Sequence, residues 1–176
     1  MISSNYYTLI HSMGSGTLPL LLDIYSGSSV AYSLRKLRAA YAGYAIRVRR
    51  SSDNTSMDIG FDSYGYLDTV TLLTFVGSGN GFVSIWYDQS SSYDASQVTL
   101  TKQPQIVSAG AVITKNGKPT IKFDGVDDFL VTSSYSFTGT DKIYISYVAT
   151  ATSATGLVVG HYKNSNPSIY MLGYRN

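Results

Sequence analysis

Two residue types are missing from the chain, cysteine and glutamate, and each absence excludes a kind of chemistry. Without cysteine there is no disulfide, no thiolate nucleophile and no metal site with sulfur ligands. Without glutamate, a glycoside hydrolase would have to take both of its carboxylates from aspartate. The acidic residues number only 11, and this shortage counts against catalysis by a carboxylate pair.

Charged residues and long apolar stretches are also scarce. Charged residues make up 14% of the chain, where about a quarter is usual for soluble domains. The net charge of +2 is too small to indicate a nucleic-acid partner by itself. The longest purely apolar stretch, residues 18–22, is too short for a membrane span, and the first seven residues contain no Lys or Arg of a signal peptide. We therefore expect neither a membrane partner nor a nucleic-acid partner.

Tyrosine, by contrast, is abundant: the chain has 16, against six phenylalanines and one tryptophan. A tyrosine ring is apolar and its hydroxyl is polar, which suits β-sheet faces and contact surfaces. The 16 glycines fit many tight turns. At 176 residues the chain is long enough for one domain with its own core and too short for two ordinary ones.

Residues 1–17 are polar with scattered aromatics and predict an N-terminal arm or linker. One interpretation is a frayed terminus. The other is an arm that docks on a partner protein, because four of its side chains are apolar enough to need burial: Tyr6, Tyr7, Leu9 and Ile10. The folded domain is then expected to span residues 18–176.

Two short helices are predicted in the first half of the domain. Residues 28 and 29 are serines that can cap a helix, apolar residues follow at helical spacing (Val30, Leu34, Leu37, Tyr41), and Gly43 ends the pattern. Asp68 can cap a second helix over residues 69–76, which Gly77 would end.

The remainder of the domain favours strands. Residues 45–50 and 58–62 alternate in the manner of half-buried strands, and residues 82–87 are β-rich enough for a central strand. Turn sequences such as Asn116-Gly117 separate the later runs. The further predicted strands are residues 120–123, 129–132, 143–149, 157–161 and 168–172. Several short strands with turns between them predict a β-sandwich.

Three stretches together resemble a known family. Residues 22–25 with residues 46–53, and then residues 86–90 (Trp-Tyr-Asp-Gln-Ser), resemble the opening of the arabinofuranosidase B catalytic domain, a concanavalin-like β-sandwich. Residues 116–130 resemble the strand-turn-strand of laminin-G-type and concanavalin A-like jelly rolls. In combination they look like a domain common in phage structural and tail proteins and in bacterial surface proteins.

The resemblance implies a mainly β fold, a concanavalin-like jelly-roll sandwich with two short helices and an N-terminal arm. Such sandwiches often run to about 200–250 residues, which leaves three interpretations: the C-terminal part of the sandwich is missing, a neighbouring chain supplies it, or this is a reduced version. The hydrolase family carries cysteine pairs that this chain does not have. Its catalytic acid and nucleophile come later in the domain than anything that aligns here, so none of its catalytic residues can be placed on this chain. Where that family usually has glycine after the Trp-Tyr-Asp-Gln-Ser stretch, this chain has Ser91.

Asp88 is the best single candidate for a functional carboxylate, because it follows an aromatic strand. A glycosidase would need it to pair with a second carboxylate such as Asp53 or Asp58. The structural interpretation is that Asp88, together with the next residue, Gln89, caps the strand end and pairs with an arginine, Arg47 or Arg49. We favour the structural interpretation.

Three further carboxylates, Asp124, Asp127 and Asp128, surround a tight turn. Such a group could hold Ca²⁺, which binds several oxygen ligands in flexible geometry. The spacing is not that of a regular calcium loop, so an Asp-Gly turn whose first aspartate bonds its own backbone is favoured over a metal site. No other cofactor is expected.

The densest basic cluster lies within residues 35–50, where six of the 13 basic residues fall. Nucleic-acid binding would combine such a face with stacking aromatics. Alternate arginines on a strand more often form a solvated or ion-paired face, and we favour that interpretation.

Aromatic rings stack on sugars and also build protein interfaces. The residues selected for glycan contact are Tyr64, Tyr66, Trp86, Asp88 and Tyr93. The favoured function is a non-catalytic phage virion structural protein, tail- or capsid-associated, that attaches to cell-surface glycan and joins other virion proteins through its arm. It is expected to form a homo-oligomer or part of a larger assembly. The alternative is an arabinofuranosidase-like glycoside hydrolase.

Overall fold

The computed structural model describes residues 19–133, residues 146–150 and two short strands, 159–161 and 170–172. The fold is mainly β: a curled, antiparallel sheet with strand order β2-β1-β3-β5-β6, in which β4 also pairs with β3. Its strands are β1 (Ile46–Arg50), β2 (Ser56–Ile59), β3 (Gly81–Trp86), β4 (Ala95–Ser96), β5 (Gln105–Ser108) and β6 (Ala111–Val112). Two separate pairs are β7 (Thr114–Lys115) with β8 (Lys118–Pro119), and β9 (Val159–His161) with β10 (Tyr170–Leu172).

The core lies on one face of this sheet. Apolar residues alternate along β1, so Ile46 and Val48 both point into the core and are fully buried. The helix α2 (Thr69–Val76) contributes Leu72 and Val76 to the same cluster. The other buried members are Ala45, Ile59, Leu67, Val83, Ile106 and Val107. Each fully buried Val, Leu or Ile side chain stabilises the fold by about 1.5–3 kcal/mol.

The prediction of α2 is confirmed at both ends. The Asp68 carboxylate accepts a hydrogen bond from the Thr71 backbone N–H at 3.0 Å, and so caps the helix. Gly77 follows the last helical residue with a φ of 67°, a backbone angle that favours glycine. Both signals are local, which is why the sequence pattern locates this helix correctly.

The other predicted helix is wrong. Residues 28–43 form an extended loop, with single β-bridges from Tyr32 to Asp88 and from Arg35 to Tyr66. A one-turn helix, α1 (Leu21–Ile24), precedes that loop instead. The loop backbone bonds to side chains more than 50 residues away, and these tertiary bonds replace the helical ones.

The strand predictions are confirmed in the centre of the sheet and for the last two strands, and they fail between residues 120 and 150. β1 falls where the alternation places it and β3 where the β-rich residues place it, while β2 begins and ends a few residues earlier than predicted. The predicted strands 120–123 and 129–132 reduce to single bridges, Lys122 with Gln105 and Val131 with Ser96. Of the predicted strand 143–149, the described part is not a strand, whereas β9 and β10 fall inside the last two predicted strands.

The Asn116-Gly117 turn joins β7 to β8 with both φ angles positive, 51° and 72°, as a tight hairpin turn requires. The described strands form one curled sheet with two separate strand pairs, so the two-layered jelly-roll sandwich stays a prediction. The arm, with Tyr6, Tyr7, Leu9 and Ile10, lies outside the described residues. Within the described ranges no helix has the length and hydropathy needed to cross a bilayer.

Candidate functional site

Asp88 lies just beyond the end of β3 and is almost fully buried, with 2% of its surface exposed. Its carboxylate accepts hydrogen bonds from four backbone N–H groups and two hydroxyls, which come from Ala31, Ser90, Ser91 and Tyr93. Burial by itself would raise the pKa of Asp88, but the bonds from Ser91, Ser90 and Ala31 outweigh it and hold the pKa below its ordinary value. Asp88 is therefore an ionised anchor whose oxygens are already occupied, which does not suit a catalytic acid.

Gln89 is buried beside Asp88 and holds the same loop. Its Oε1 accepts from the Leu37 N–H at 2.7 Å, and its Nε2 donates to the carbonyls of Ser33 and Arg35 at 3.0 and 2.9 Å. Asp88 and Gln89 thus fix residues 31–37 against the end of β3. The expected ion pair between this strand end and Arg47 or Arg49 is wrong, since neither arginine binds Asp88 or Gln89.

The two other carboxylates considered for a catalytic pair have arginine partners of their own. Asp58 accepts from Nε and Nη2 of Arg47, both at 2.7 Å, and from the Tyr87 hydroxyl at 2.6 Å. The Arg47 bonds hold the pKa of Asp58 below its ordinary value. Asp53 is bound by Arg50 at 2.6 and 2.9 Å. In the described part of the chain, no hydrogen bond joins Asp88 to either of them.

The five residues selected for glycan contact fall into two groups. Trp86, Asp88 and Tyr93 surround Tyr32, whose ring lies 5.7 Å from the Trp86 ring and whose hydroxyl donates to the Tyr93 carbonyl. Within the described residues the buried Trp86 indole N–H has no hydrogen-bond partner. In this first group Asp88 is buried, whereas Trp86 and Tyr93 are half-buried, and Trp86 packs against the core.

The second group, Tyr64 and Tyr66, lies on the loop between β2 and α2. The Asp62 carboxylate accepts from the backbone N–H groups of both tyrosines at 2.9 Å and so fixes the loop. Tyr64 is 81% exposed. Two cations lie over the Tyr66 ring: the Arg35 guanidinium is 5.1 Å and the Lys118 ammonium 4.9 Å from the ring centre.

Beside this loop is an open cleft of about 310 Å³, which we call the tyrosine cleft. Tyr41 folds over Gly43, where a Cβ would lie 2.5 Å from the Tyr41 hydroxyl oxygen, and that hydroxyl donates to the Tyr44 carbonyl at 2.9 Å. Tyr44 is half exposed. The cleft is lined by Lys36, Tyr41, Ala42, Gly43, Tyr44, Gly60, Phe61 and Asp62. Sequence reasoning missed Tyr41 and Tyr44 as lining residues, because it assigned Tyr41 to a helix.

A larger cleft of about 580 Å³ opens on the sheet face opposite the core, and we call it the Arg49 cleft. Its floor is a row of side chains on adjacent strands: Arg49 pairs with Phe82, Phe82 with Gln105, and Gln105 with Lys122. Paired residues of neighbouring strands lie on the same face of a sheet. The row therefore has a cation at each end, Arg49 and Lys122, with an aromatic ring and an amide between them. The other lining residues are Asn54, Leu100, Thr101, Gln103, Asp124 and Asp128.

Arg49 is only 7% exposed, although β1 alternation predicts that its arginines face solvent or an acidic partner. Its guanidinium donates to Gln103 Oε1 and Asn54 Oδ1, both at 2.7 Å, and to the Leu100 carbonyl at 3.1 Å. It lies 4.7 Å from the centre of the Phe82 ring. Among the described residues no carboxylate forms an ion pair with it, and burial lowers its pKa.

The acidic turn has the geometry of the favoured interpretation. Oδ1 of Asp124 accepts from the backbone N–H groups of Val126, Asp127 and Asp128 at 2.8–3.2 Å, and Gly125 has a φ of 80°. The ligand atoms of the three aspartates lie within 4.8 Å of one another, and Asp127 is 3.7 Å from the Lys102 ammonium. The calcium site stays the less favoured alternative.

Comparison with known proteins gives no relative from which to transfer a role: no family model, curated protein or solved structure matches the chain. The resemblance to the jelly-roll family therefore stays a prediction.

Proposed function

We propose that this chain is a non-catalytic attachment module that binds glycans at the tyrosine cleft. The observation that carries the proposal is Tyr64, an aromatic ring 81% exposed on the loop that flanks the cleft, which is held in place by Asp62, a residue of the cleft lining. An exposed ring on a fixed backbone is ready to stack on the apolar face of a sugar, and little conformational entropy is lost on binding. The neighbouring polar groups of the cleft, Lys36 and Asp62, are of the kind that bond sugar hydroxyls.

The state of the carboxylates supports a non-catalytic role. A glycosidase needs one carboxyl group that can deliver a proton, and hydrogen bonds to an ionised carboxylate oppose this. The pKa values of Asp88 and Asp58 are both held low, Asp88 chiefly by its bonds to Ser91, Ser90 and Ala31 against the effect of burial, and Asp58 chiefly by Arg47. The alternative, an arabinofuranosidase-like hydrolase, predicts turnover of aryl arabinofuranosides that Asp88→Asn abolishes.

The resemblance to a domain common in phage structural and tail proteins supports the surface of a phage particle as the setting. In that setting the arm joins other virion proteins, and the domain forms a homo-oligomer or part of a larger assembly. Cell-surface polysaccharide is the partner of the tyrosine cleft.

Isothermal titration against a panel of neutral oligosaccharides and cell-surface polysaccharides tests the glycan proposal. Losing one stacking ring removes about 1 kcal/mol, so Tyr64→Ala is expected to weaken binding about fivefold, whereas Tyr64→Phe keeps the ring and most of the affinity. Tyr25→Ala is the matched control, because Tyr25 is 68% exposed and lies outside the loop between β2 and α2 that flanks the cleft. No binding to any glycan, or equal loss in the control, would refute the proposal.

A further inference from the structure

Arg49 carries a buried charge that the described residues do not neutralise. Its partners are two side-chain amides, a carbonyl and the face of an aromatic ring, all of them uncharged. A buried charge without an opposite charge is costly to a fold, so a position of this kind points to a ligand that supplies the missing charge.

The guanidinium also has unused donors. An arginine carries five N–H donors, and Arg49 uses one at each of its three nitrogens. The remaining N–H groups are on the two terminal nitrogens, the pair that binds a carboxylate through two parallel hydrogen bonds. Because Arg49 lines the cleft, these donors are within reach of a ligand there.

The floor of the cleft is long enough to contact a ligand larger than a single ion. From Arg49 to Lys122 the row crosses three strand spacings of about 4.8 Å each, or roughly 14 Å in total. Between the two cations lie the Phe82 ring and the Gln105 amide. Charge at both ends with an apolar ring and a hydrogen-bonding amide between them matches an extended chain of sugars that carries acidic groups.

We propose that the Arg49 cleft is a second binding site, which binds an acidic glycan with a sugar carboxylate against Arg49 and the chain lying across β1, β3 and β5. The cleft volume of about 580 Å³ is within the size range of ligand pockets. Two aspartates also line the cleft, Asp124 and Asp128, and they bond to the backbone of their own turn and not to Arg49. Their negative charges reduce the attraction for an acid, so the sugar carboxylate is expected against Arg49 itself. The proposal depends on the proposed function only in that the ligand is a glycan.

Titration of the full chain with an oligogalacturonate and with the same oligosaccharide after carboxyl reduction tests this site. We expect the acidic form to bind at least about tenfold more tightly, since charge-assisted hydrogen bonds are its main advantage. Lys122→Gln, an exposed and fold-neutral change, is expected to weaken uronate binding about fivefold. Lys118→Gln, which removes the lysine beside Tyr66 instead, is the matched control and should change binding less than twofold.

A second measurement does not depend on a variant of the buried arginine. The Nε–H resonance of Arg49 in an ¹⁵N spectrum of the wild-type chain should shift on addition of the oligouronate and stay unchanged with the reduced form. Equal affinity for the two ligands, or an unshifted Arg49 resonance, would overturn the proposal. Equally tight, Lys122-dependent binding of poly-aspartate would overturn the choice of a glycan.

The two proposals fail separately. If Tyr64→Ala removes uronate binding while Lys122→Gln leaves it intact, the acid binds at the tyrosine cleft, and only the second site is refuted. If neutral glycans do not bind at all while uronate binding depends on Lys122, the tyrosine cleft is refuted and the Arg49 cleft is supported.

Discussion

Two charged side chains of this domain are almost fully buried, Asp88 and Arg49, and neither has an ion-pair partner in the part of the chain that the structure describes. Asp88 is surrounded by donors that occupy both of its oxygens. Arg49 has three acceptors for five donors and borders an open cleft. A buried charge whose hydrogen-bonding capacity is filled by the protein stabilises structure, whereas one with capacity left over beside a cleft is available to a ligand.

The substitution expected to have the largest effect is Asp88→Asn, which tests the structural role of the buried carboxylate. The asparagine amide places an NH₂ group against backbone N–H donors, so several buried donors lose their acceptor. We expect the free energy of unfolding to fall by about 3 kcal/mol. Urea denaturation monitored by fluorescence measures this change in the free energy of unfolding. Asp127→Asn, an exposed aspartate near Lys102, is the control and should change stability by less than about 0.5 kcal/mol. Equal effects would mean that the Asp88 network is not structural.

Arg49→Lys should cost less, about 1–2 kcal/mol. Lysine keeps the positive charge but cannot reach Gln103, Asn54 and the Leu100 carbonyl together, and water from the cleft can bond the released acceptors. The same denaturation experiment applies, with Arg35→Lys as a control on an exposed arginine that keeps a cation over Tyr66. A loss as large as that of Asp88→Asn would assign Arg49 a purely structural role.

The pH dependence of stability should follow the carboxylates and not Arg49. The pKa values of Asp58 and Asp88 are lowered in the folded chain. Their contribution is therefore fully present above the unfolded aspartate pKa, about 3.9, and is lost as the pH falls through the lower folded values. Unfolding free energies measured between pH 2 and 7 should decline below about pH 4. The decline should be shallower in Asp58→Asn, while Arg49→Lys keeps the wild-type slope.

The smallest expected effect is at the tyrosine cleft. In Gly43→Ala the new methyl group meets the flexible end of the Tyr41 side chain, which can move aside. Stability should change by about 0.5 kcal/mol or less, yet glycan affinity at the tyrosine cleft should fall, because Tyr41 lines it. Titration of uronate to the Arg49 cleft provides the internal control, and loss of both affinities would contradict the independence of the two sites.

How much of the fold could be predicted from the sequence differs from segment to segment. The helix α2 was predictable to the residue, because Asp68 and Gly77 are local signals at its two ends. The loop of residues 28–43 was not predictable, since its conformation depends on Asp88 and Gln89, far away in sequence. A pattern of apolar residues at helical spacing has no means of reporting such distant partners.

At the candidate site, too, some residues could be predicted from the sequence and others could not. Tyr64 and Tyr66 were selected as loop aromatics, and the structure places them at the surface. Arg49 was grouped with its neighbours as a solvated or ion-paired arginine. Only the pairing of β1 with β3, and of β3 with β5, brings it beside Phe82 and within hydrogen-bond distance of buried Gln103. Cross-strand neighbours are set by register, which a single sequence does not specify.

The strand order has a consequence for how the chain folds. β3 is the middle strand, and its partners β1 and β5 lie on either side of it in sequence, with β2 and α2 inserted between β1 and β3. During synthesis, β1 therefore emerges long before its central partner, and the sheet cannot be completed until β6 has left the ribosome. Contacts between such distant segments form slowly, so the edge of β1 that pairs with β3 stays without its partner strand until residues 81–86 have been synthesised.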